Sequence, residues 1–309
     1  MALGARITGW GRALPEKVVT NADLESTLDT TDEWIVERSG IRERRIGGST
    51  GGLAIDAGRA ALVRAGVDAA AVDLVIVCTS TPDQQIPATA STVQHELGTH
   101  GGAFDVNAAC SGFVYGLVTA DAMARAGHQR VLLIGSETMS RMVDWEDRST
   151  AVLFGDGAGA VLLEATDGQP GLLGWDLGSD GSLRSILDAD VGGFLRMQGK
   201  EVFRRAVRVM IDSATLALQR AGVPASDIAL VVPHQANIRI IESANTKLGI
   251  PMDRTALVLE QTGNTSSASI PIALADAADA GRLHEGDLVL LVGFGAGMSW
   301  ASAVVRWQP

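Results

Sequence analysis

The feature that most restricts how this chain can fold is a repeat at half its length. Ala65-Gly66-Val67, Ala69 and the run Leu74-Val75-Ile76-Val77-Cys78 return 156 residues later as Ala221-Gly222-Val223, Ala225 and Leu230-Val231-Val232-Pro233-His234. A second pair, Val131-Leu132-Leu133-Ile134-Gly135 and Val289-Leu290-Leu291-Val292-Gly293, is 158 residues apart. Each unit reads as a helix stopped by glycine and followed by a short apolar strand, or as such a strand alone. Near-continuous Val/Ile/Leu strands are those buried on both faces between helical layers. Solenoid units run about 20–50 residues, so this longer spacing points to two similar α/β halves packed as one body. One matched pair of short Ala/Gly/Val strings could arise by chance; two pairs at nearly one offset favour duplication.

Composition narrows the function classes. Of 309 residues, 46% are apolar and 20% charged, as in a globular chain with a sizeable core, which excludes disorder and a coiled coil. A net charge of −11 argues against nucleic acid as a main partner. Cys78 and Cys110 are the only cysteines, so no disulfide framework exists and a cytoplasmic location is expected. The stretch MALGARITGWGRALPEK lacks the cationic start and apolar core of a secretory leader. Runs such as Leu288–Gly293 are far short of the ~18 residues of a membrane span, so no membrane association is expected.

Three residues stand where chemistry could occur. Cys110 lies in Phe104-Asp105-Val106-Asn107-Ala108-Ala109-Cys110-Ser111-Gly112, at a strand-to-helix turn. A helix start lowers a thiol pKa and favours the nucleophilic thiolate, although a lone cysteine is more often an inert core residue. Of the five histidines, His234 alone directly follows an apolar strand, and in the half opposite Cys110. A histidine there is often only a hydrogen-bonded core group. Asn264, in Gly263-Asn264-Thr265-Ser266-Ser267-Ala268-Ser269, opens an apolar helix and could be a simple N-cap. Its spacing of 154 from Cys110 places the two at corresponding helix starts. Cys, His and Asn so arranged suit acyl-thioester chemistry. Neither the cysteines nor His95-Glu96-Leu97-Gly98-Thr99-His100 have metal-site spacing, so no metal is expected.

Cys110 in AACSGF, His234 in PHQAN and Asn264 in GNTSSASIP resemble the active-site motifs of the β-ketoacyl-acyl-carrier-protein synthase III family, condensing enzymes of thiolase fold. The likeness continues through Thr31–Arg44, Phe154–Ala160 and Gly295–Trp300, in order along the chain. It implies an α/β, five-layered αβαβα fold of two duplicated halves, 1–168 and 169–309. It also implies decarboxylative condensation of an acyl-CoA primer with malonyl-acyl-carrier protein to begin fatty-acid synthesis, without a cofactor. Related readings are acyl transfer to an alcohol or amine and starter-unit priming of a polyketide pathway; retained Asn264 favours decarboxylation. A partner-binding subunit without activity is disfavoured by the intact Cys110.

The resemblance also assigns roles. Cys110 would carry the acyl group, while His234 and Asn264 donate to the malonyl thioester oxygen. The backbone N–H groups of Cys110 and Ala296 would form an oxyanion hole, with Ala296 standing where the family commonly has glycine. Trp34 and Arg148 would sandwich the CoA adenine, Arg38 hold phosphate or ribose, and Asn237 and Gly199 line the pantetheine tunnel. Arg204 and Arg239 match carrier-docking positions, and Lys247, on the same probable helix as Arg239, would add to that cationic patch, weakened by Thr246 where lysine is frequent. A homodimer would form through strands following Phe104, and Ile86, in Asp83–Pro87, would close the partner subunit's acyl pocket. Many acetyl-preferring members have phenylalanine at Ile86, so broader primer tolerance is expected.

Overall fold

Continuous apolar strands, buried on both faces, decide the layering. A computed structural model describes residues 3–309; Met1 and Ala2, the start of the stretch read above for a leader, lie outside them. The first sheet contains β1 (Gly4–Ala13), β2 (Leu74–Cys78), β3 (Gly102–Val106), β4 (Arg130–Thr138) and β5 (Asp156–Thr166), in spatial order β1-β5-β4-β2-β3. The second contains β6 (Leu172–Ser179), β7 (Ile228–Pro233), β8 (Leu288–Gly295) and β9 (Ser299–Arg306), in order β7-β8-β9-β6. β2 runs parallel to β3 and β4, and β7 parallel to β8; the remaining pairings are antiparallel. The sheets therefore superpose in sense, with β2 matching β7, β4 matching β8, β5 matching β9 and β1 matching β6. The fifth position, held by β3 in the first sheet, is reduced in the second to one parallel bridge between Val231 and Thr255.

Seven helices of eight or more residues occur among the described residues: α1 (Asp32–Ser39), α2 (Thr50–Ala65), α3 (Thr89–Leu97), α4 (Gly112–Arg125), α5 (Gly199–Ala221), α6 (Ile238–Leu248) and α7 (Ser269–Asp279). Leu74 and Ile76 point inward, where they share a core with Phe113 and Leu117 of α4, Ile270 and Leu274 of α7, and Val232 and Leu291 of the second sheet. Val75, Val77 and Leu132 point outward onto Ala54, Ala57 and Ala61 of α2. Val231, Leu290 and Val292 likewise face Val202 and Met210 of α5 and Ile240 of α6. The result is helix, sheet, helix, sheet, helix. Both halves use one device to seat the outer helix. A Cβ on Gly11 would lie 2.5 Å from the Ala57 carbonyl oxygen, and one on Gly174 would lie 2.6 Å from that of Ala217.

This arrangement positions the site. The carboxyl ends of parallel strands in α/β sheets are where ligands bind, and here those of β3, β7 and β8 converge, joined by the entry to α7. No helix is long and apolar enough to cross a membrane among the described residues.

Candidate active site

Two matching turns frame the centre. After β3, Ala109–Ser111 form a 3-10 turn that runs into α4. Ala109 has φ 47°, a left-handed conformation uncommon for a residue with a side chain, and its N–H donates to Asn107 Oδ1 at 3.1 Å. Before α7, Ser266–Ala268 form the same 3-10 turn. Ser266 has φ 49°, and its N–H donates to Asn264 Oδ1 at 2.9 Å. The counterpart of Asn264 is thus Asn107, and that of Cys110 is Ser267. The 154-residue spacing suggested a Cys110–Asn264 match; the shared turn corrects that register to 157, which lies between the two repeat offsets.

Cys110, His234 and Asn264 line one cavity of about 340 Å³, together with Ala296, Asn237 and Gly199. Cys110 is only 8% exposed. Glycine is required against it, because a Cβ on Gly295 would lie 2.5 Å from the Cys110 nitrogen. Burial pushes the thiol up to about 12; a hydrogen bond from Ser266 opposes this and the charge of Glu137 reinforces it. The expected lowering by the helix start is therefore overturned. A helix terminus contributes at most about 2 kcal/mol, or about 1.5 pH units, less than the burial it would have to offset. Ala296 is not among the residues of positive φ, so its methyl group is accommodated.

His234 continues β7, its N–H donating to the Val292 carbonyl at 2.7 Å, and its ring meets Phe294 edge-on at 5.4 Å. Burial pulls its pKa down to about 3, so the imidazole is neutral near pH 7. Its tautomer follows from Ser269. Ser269 Oγ accepts the Gln235 N–H at 3.3 Å, and among the described residues the buried Ser269 hydroxyl proton has no acceptor other than His234 Nδ1, 2.7 Å away. Nε2 then carries the ring proton. Asn264 is oriented in the same fashion: Oδ1 is taken by the Ser266 N–H, so Nδ2 is the donor left for the cavity. The site therefore presents two neutral N–H donors beside a buried thiol.

The outer residues are partly as expected. Arg148 and Arg38 stack on the Trp34 ring, at 4.8 and 4.6 Å from its centroid. An adenine between Trp34 and Arg148 needs a gap of two stacking distances, so Arg148 closes the slot in this state, tethered to the Asp29 carbonyl. Asn237 caps α6 through the Arg239 N–H and donates to the Arg38 carbonyl at 2.7 Å, joining α1 to the cavity mouth. Gly199 has no steric need to be glycine, since its Cβ would meet nothing closer than Met197 Cε at 3.8 Å. Arg204 is engaged twice by Glu201, at 2.7 and 2.9 Å. Arg239 lies over Phe203, a cavity-lining residue, which places Arg239 near the mouth. Lys247 does not join them; it sits at the far end of α6 beside Thr215, Leu218 and Gln219. Ile86 is 83% exposed and takes no part in its own chain's cavity.

Sequence reasoning missed Ser266, Ser269 and Glu137. The Ser-rich run after Asn264 and a lone acid at the end of the apolar strand β4 were the available signals.

Two family models match the chain. Residues 104–181, which hold Cys110, match 3-oxoacyl-[acyl-carrier-protein (ACP)] synthase III; residues 218–307, which hold His234 and Asn264, match the C-terminal model of the same name. The chain is 51% identical to β-ketoacyl-[acyl-carrier-protein] synthase III of Roseiflexus castenholzii, covering 100% of this chain and 99% of that one. Its fold is similar to the crystal structure of 3-oxoacyl-[acyl-carrier-protein] synthase III from Aquifex aeolicus, with a TM-score of 0.95, 44% identity, and 98% and 100% of the two chains covered. It is also similar to the priming β-ketosynthase of the R1128 polyketide biosynthetic pathway, with a TM-score of 0.94, 38% identity, and 99% and 97% covered. With a thiolase-like fold of two duplicated halves and full-length likeness of this degree, the chain belongs to the β-ketoacyl-acyl-carrier-protein synthase III family of condensing enzymes.

Proposed function

We propose that this chain condenses an acyl-CoA primer with malonyl-acyl-carrier protein, releasing CO2 and giving the β-ketoacyl-carrier protein that begins fatty-acid synthesis. The observation that carries the reading is the convergence of Cys110, His234 Nε2–H and Asn264 Nδ2 on one cavity. Cys110 takes the acyl group as a thioester, with the N–H groups of Cys110 and Ala296 receiving the oxyanion of the tetrahedral intermediate. Free CoA leaves and malonyl-carrier enters. His234 and Asn264 then donate to its thioester oxygen, where enolate charge grows as the carboxylate departs. The enolate carbon attacks the acyl-Cys110 carbonyl and expels the sulfur. The carbanion comes from the breaking C–C bond of the malonyl group, so the reaction as written uses no metal or organic cofactor.

Residues 1–168 supply the nucleophile and 169–309 the donor pair. Trp34, Arg38 and Arg148 would hold the nucleotide end of CoA once Arg148 swings aside, and Asn237 and Gly199 would flank the pantetheine arm. Arg204 and Arg239 are the docking cations for an acidic carrier, without Lys247. A homodimer is supported by β3, which is an unpaired sheet edge in the single chain, and by the exposed Ile86, which would enter the partner subunit. A cytoplasmic setting fits the two unpaired cysteines. Starter-unit priming of a polyketide pathway uses the same chemistry, and the likeness to the R1128 priming enzyme favours keeping it as the second reading.

Intact-mass spectrometry after mixing with acetyl-CoA should show one acyl group on the wild type and none on Cys110→Ala. Malonyl-carrier should then yield CO2 and a product two carbons longer. Acylation at Cys78, or CO2 release unaffected by His234→Ala, would refute the assignment.

A further inference from the structure

Arg44 is 0% exposed, yet every acceptor it meets among the described residues is neutral. Nη1 donates to the Val19 carbonyl at 3.2 Å and to Asn21 Oδ1 at 2.9 Å, and Nη2 donates to the Val152 carbonyl at 2.8 Å. Nε has no partner among the described residues. Burial pulls its pKa down to about 10, opposed by the charges of Asp23 and Glu43, so it is still a cation near pH 7. Burying an unpaired charge is costly, and an apolar side chain of similar volume would fill the space without that cost. What an apolar side chain lacks is a planar fork of donors that holds two chain segments at a fixed separation. One arm of this fork holds Val19 and Asn21, and the other holds Val152.

The second arm ends at the joint that carries Asn264. The Asn264 N–H donates to the Leu153 carbonyl at 2.8 Å, and the Gly155 N–H donates to the Asn264 carbonyl at 3.0 Å. Together they make one parallel bridge between Phe154 and Asn264. Residues 153–155 therefore place the Asn264 backbone, while the Ser266 N–H sets only the rotation of its amide. The stem of Arg44 packs against both sides of that bridge: a Cβ on Gly155 would lie 3.2 Å from Arg44 Cβ, and one on Gly263 would lie 3.1 Å from it. The first arm is braced in turn. Asn21 is 1% exposed, and its Nδ2 donates to Asp32 Oδ1 at 2.7 Å and to the Ile41 carbonyl at 2.8 Å. None of these bonds reaches the Cys110 turn.

We propose that Arg44 is a positioning residue for the decarboxylating half of the reaction. Held between Asn21 and Val152, it fixes the bridge that decides where Asn264 Nδ2 meets the enolate oxygen. This rests on the reading of Asn264 as a donor to the malonyl thioester. Acylation of Cys110 makes no use of that donor, so the two halves of the reaction should respond differently when Arg44 is changed.

The test measures acylation by acetyl-CoA, through quenched intact-mass analysis, and CO2 release from malonyl-carrier. The proteins are wild type, Arg44→Met, Arg44→Lys, Asn264→Ala, and Arg44→Met combined with Asn264→Ala. A misplacement of about 1 Å costs about 10²-fold in rate, so Arg44→Met should lower kcat for CO2 release by about 10–10²-fold. KM for malonyl-carrier and the acylation rate should stay within a few-fold of wild type, because the weakened contact belongs to the transition state. Arg44→Lys keeps the charge and a donor and should recover part of the loss. In the Asn264→Ala background, Arg44→Met should add at most a few-fold, since groups acting as one unit are not additive. Unchanged CO2 release in Arg44→Met, full additivity with Asn264→Ala, or acylation falling as far as CO2 release would overturn the proposal. If Arg44→Met does not fold, Asn21→Ala decides alone, because it keeps the guanidinium and removes its brace. It should show the same selective loss, and unchanged CO2 release or an equal loss of acylation would be the overturning result. CO2 release that Asn264→Ala leaves unimpaired would sink the reading of Asn264 instead.

Discussion

Asn264→Asp is the sharpest probe of the donor pair because it changes one group and leaves the shape. Oδ1 of Asn264 accepts the Ser266 N–H at 2.9 Å, a bond that a carboxylate keeps, so the turn into α7 should persist. What changes is the atom facing the cavity, which turns from an N–H donor into a negatively charged acceptor. Loss of one such donor typically costs about 10²–10³ in rate. A carboxylate about 3 Å from the developing enolate oxygen adds repulsion of about 5 kcal/mol at an effective dielectric of about 20. The group can escape that repulsion by taking up a proton, since burial raises a carboxyl pKa, and the protonated form again has an O–H to donate. At neutral pH, CO2 release from malonyl-carrier by Asn264→Asp should therefore be at least as impaired as in Asn264→Ala. It should recover as pH falls, whereas Asn264→Ala should show no such recovery. Acylation of Cys110 precedes the need for this donor and should stay within a few-fold of wild type. Stopped-flow CO2 detection and intact-mass acylation across the acidic to neutral range measure both. Parallel pH profiles for the two variants, or an equal loss of acylation, would refute the orientation of Asn264 derived from Ser266.

Three further outcomes follow from single contacts. Gly295→Ala forces a methyl group to within 2.5 Å of the Cys110 nitrogen and 3.1 Å of Ala109 Cβ. It should cost about 1–3 kcal/mol of stability and slow acylation, read by thermal melting and intact mass; an unchanged acylation rate would show that the Cys110 turn can yield. His234, pulled down to about 3 by burial, is neutral in folded and unfolded chains above about pH 6.5. Between about pH 6.5 and 3 only the unfolded chain takes up the proton, so this residue should remove up to about 1.4 kcal/mol of stability per pH unit of acidification; chemical denaturation of wild type and His234→Ala should show a gap that changes over that window. Ile86→Phe should narrow primer use towards acetyl-CoA against isobutyryl- and hexanoyl-CoA, since one methylene in an apolar pocket is worth about 1–3 kcal/mol; identical profiles would remove Ile86 from the pocket.

What the sequence disclosed was set by periodicity and motif. The strands Leu74–Cys78 and Leu288–Gly295 announce themselves as apolar runs, and their repetition states the doubled architecture without any knowledge of contacts. Side-chain direction is a different matter. Nothing in the string tells that Ser269 would bond His234 Nδ1, because the partners are brought together by packing α7 between the sheets. The thiol of Cys110 was misjudged for the same reason: a helix start is visible in sequence, but the closed cavity that outweighs it is a tertiary property. The slot of Trp34 and Arg148 was legible as a pair of stacking groups and not as a pair already stacked on each other.

The duplication explains why the site is divided as it is. Both halves bend the chain identically after an asparagine, at Ala109 with φ 47° and at Ser266 with φ 49°, so each half points a short polar segment at the shared interior. A single such turn can orient one nucleophile or one set of donors, since both would otherwise compete for the same few ångströms of backbone. Two turns facing each other across α4 and α7 allow different side chains on one backbone plan. In the first half the residue after the strained position is Cys110; in the second it is Ser267, bonded to Glu137 at the end of β4. Asn107 and Asn264 share one task, since both brace a turn with Oδ1, and both line the cavity with an amide N–H group left over. The strain of a left-handed non-glycine residue, about 1–3 kcal/mol each, is thus carried twice by the fold, once beside the nucleophile Cys110 and once beside the amide donor of Asn264.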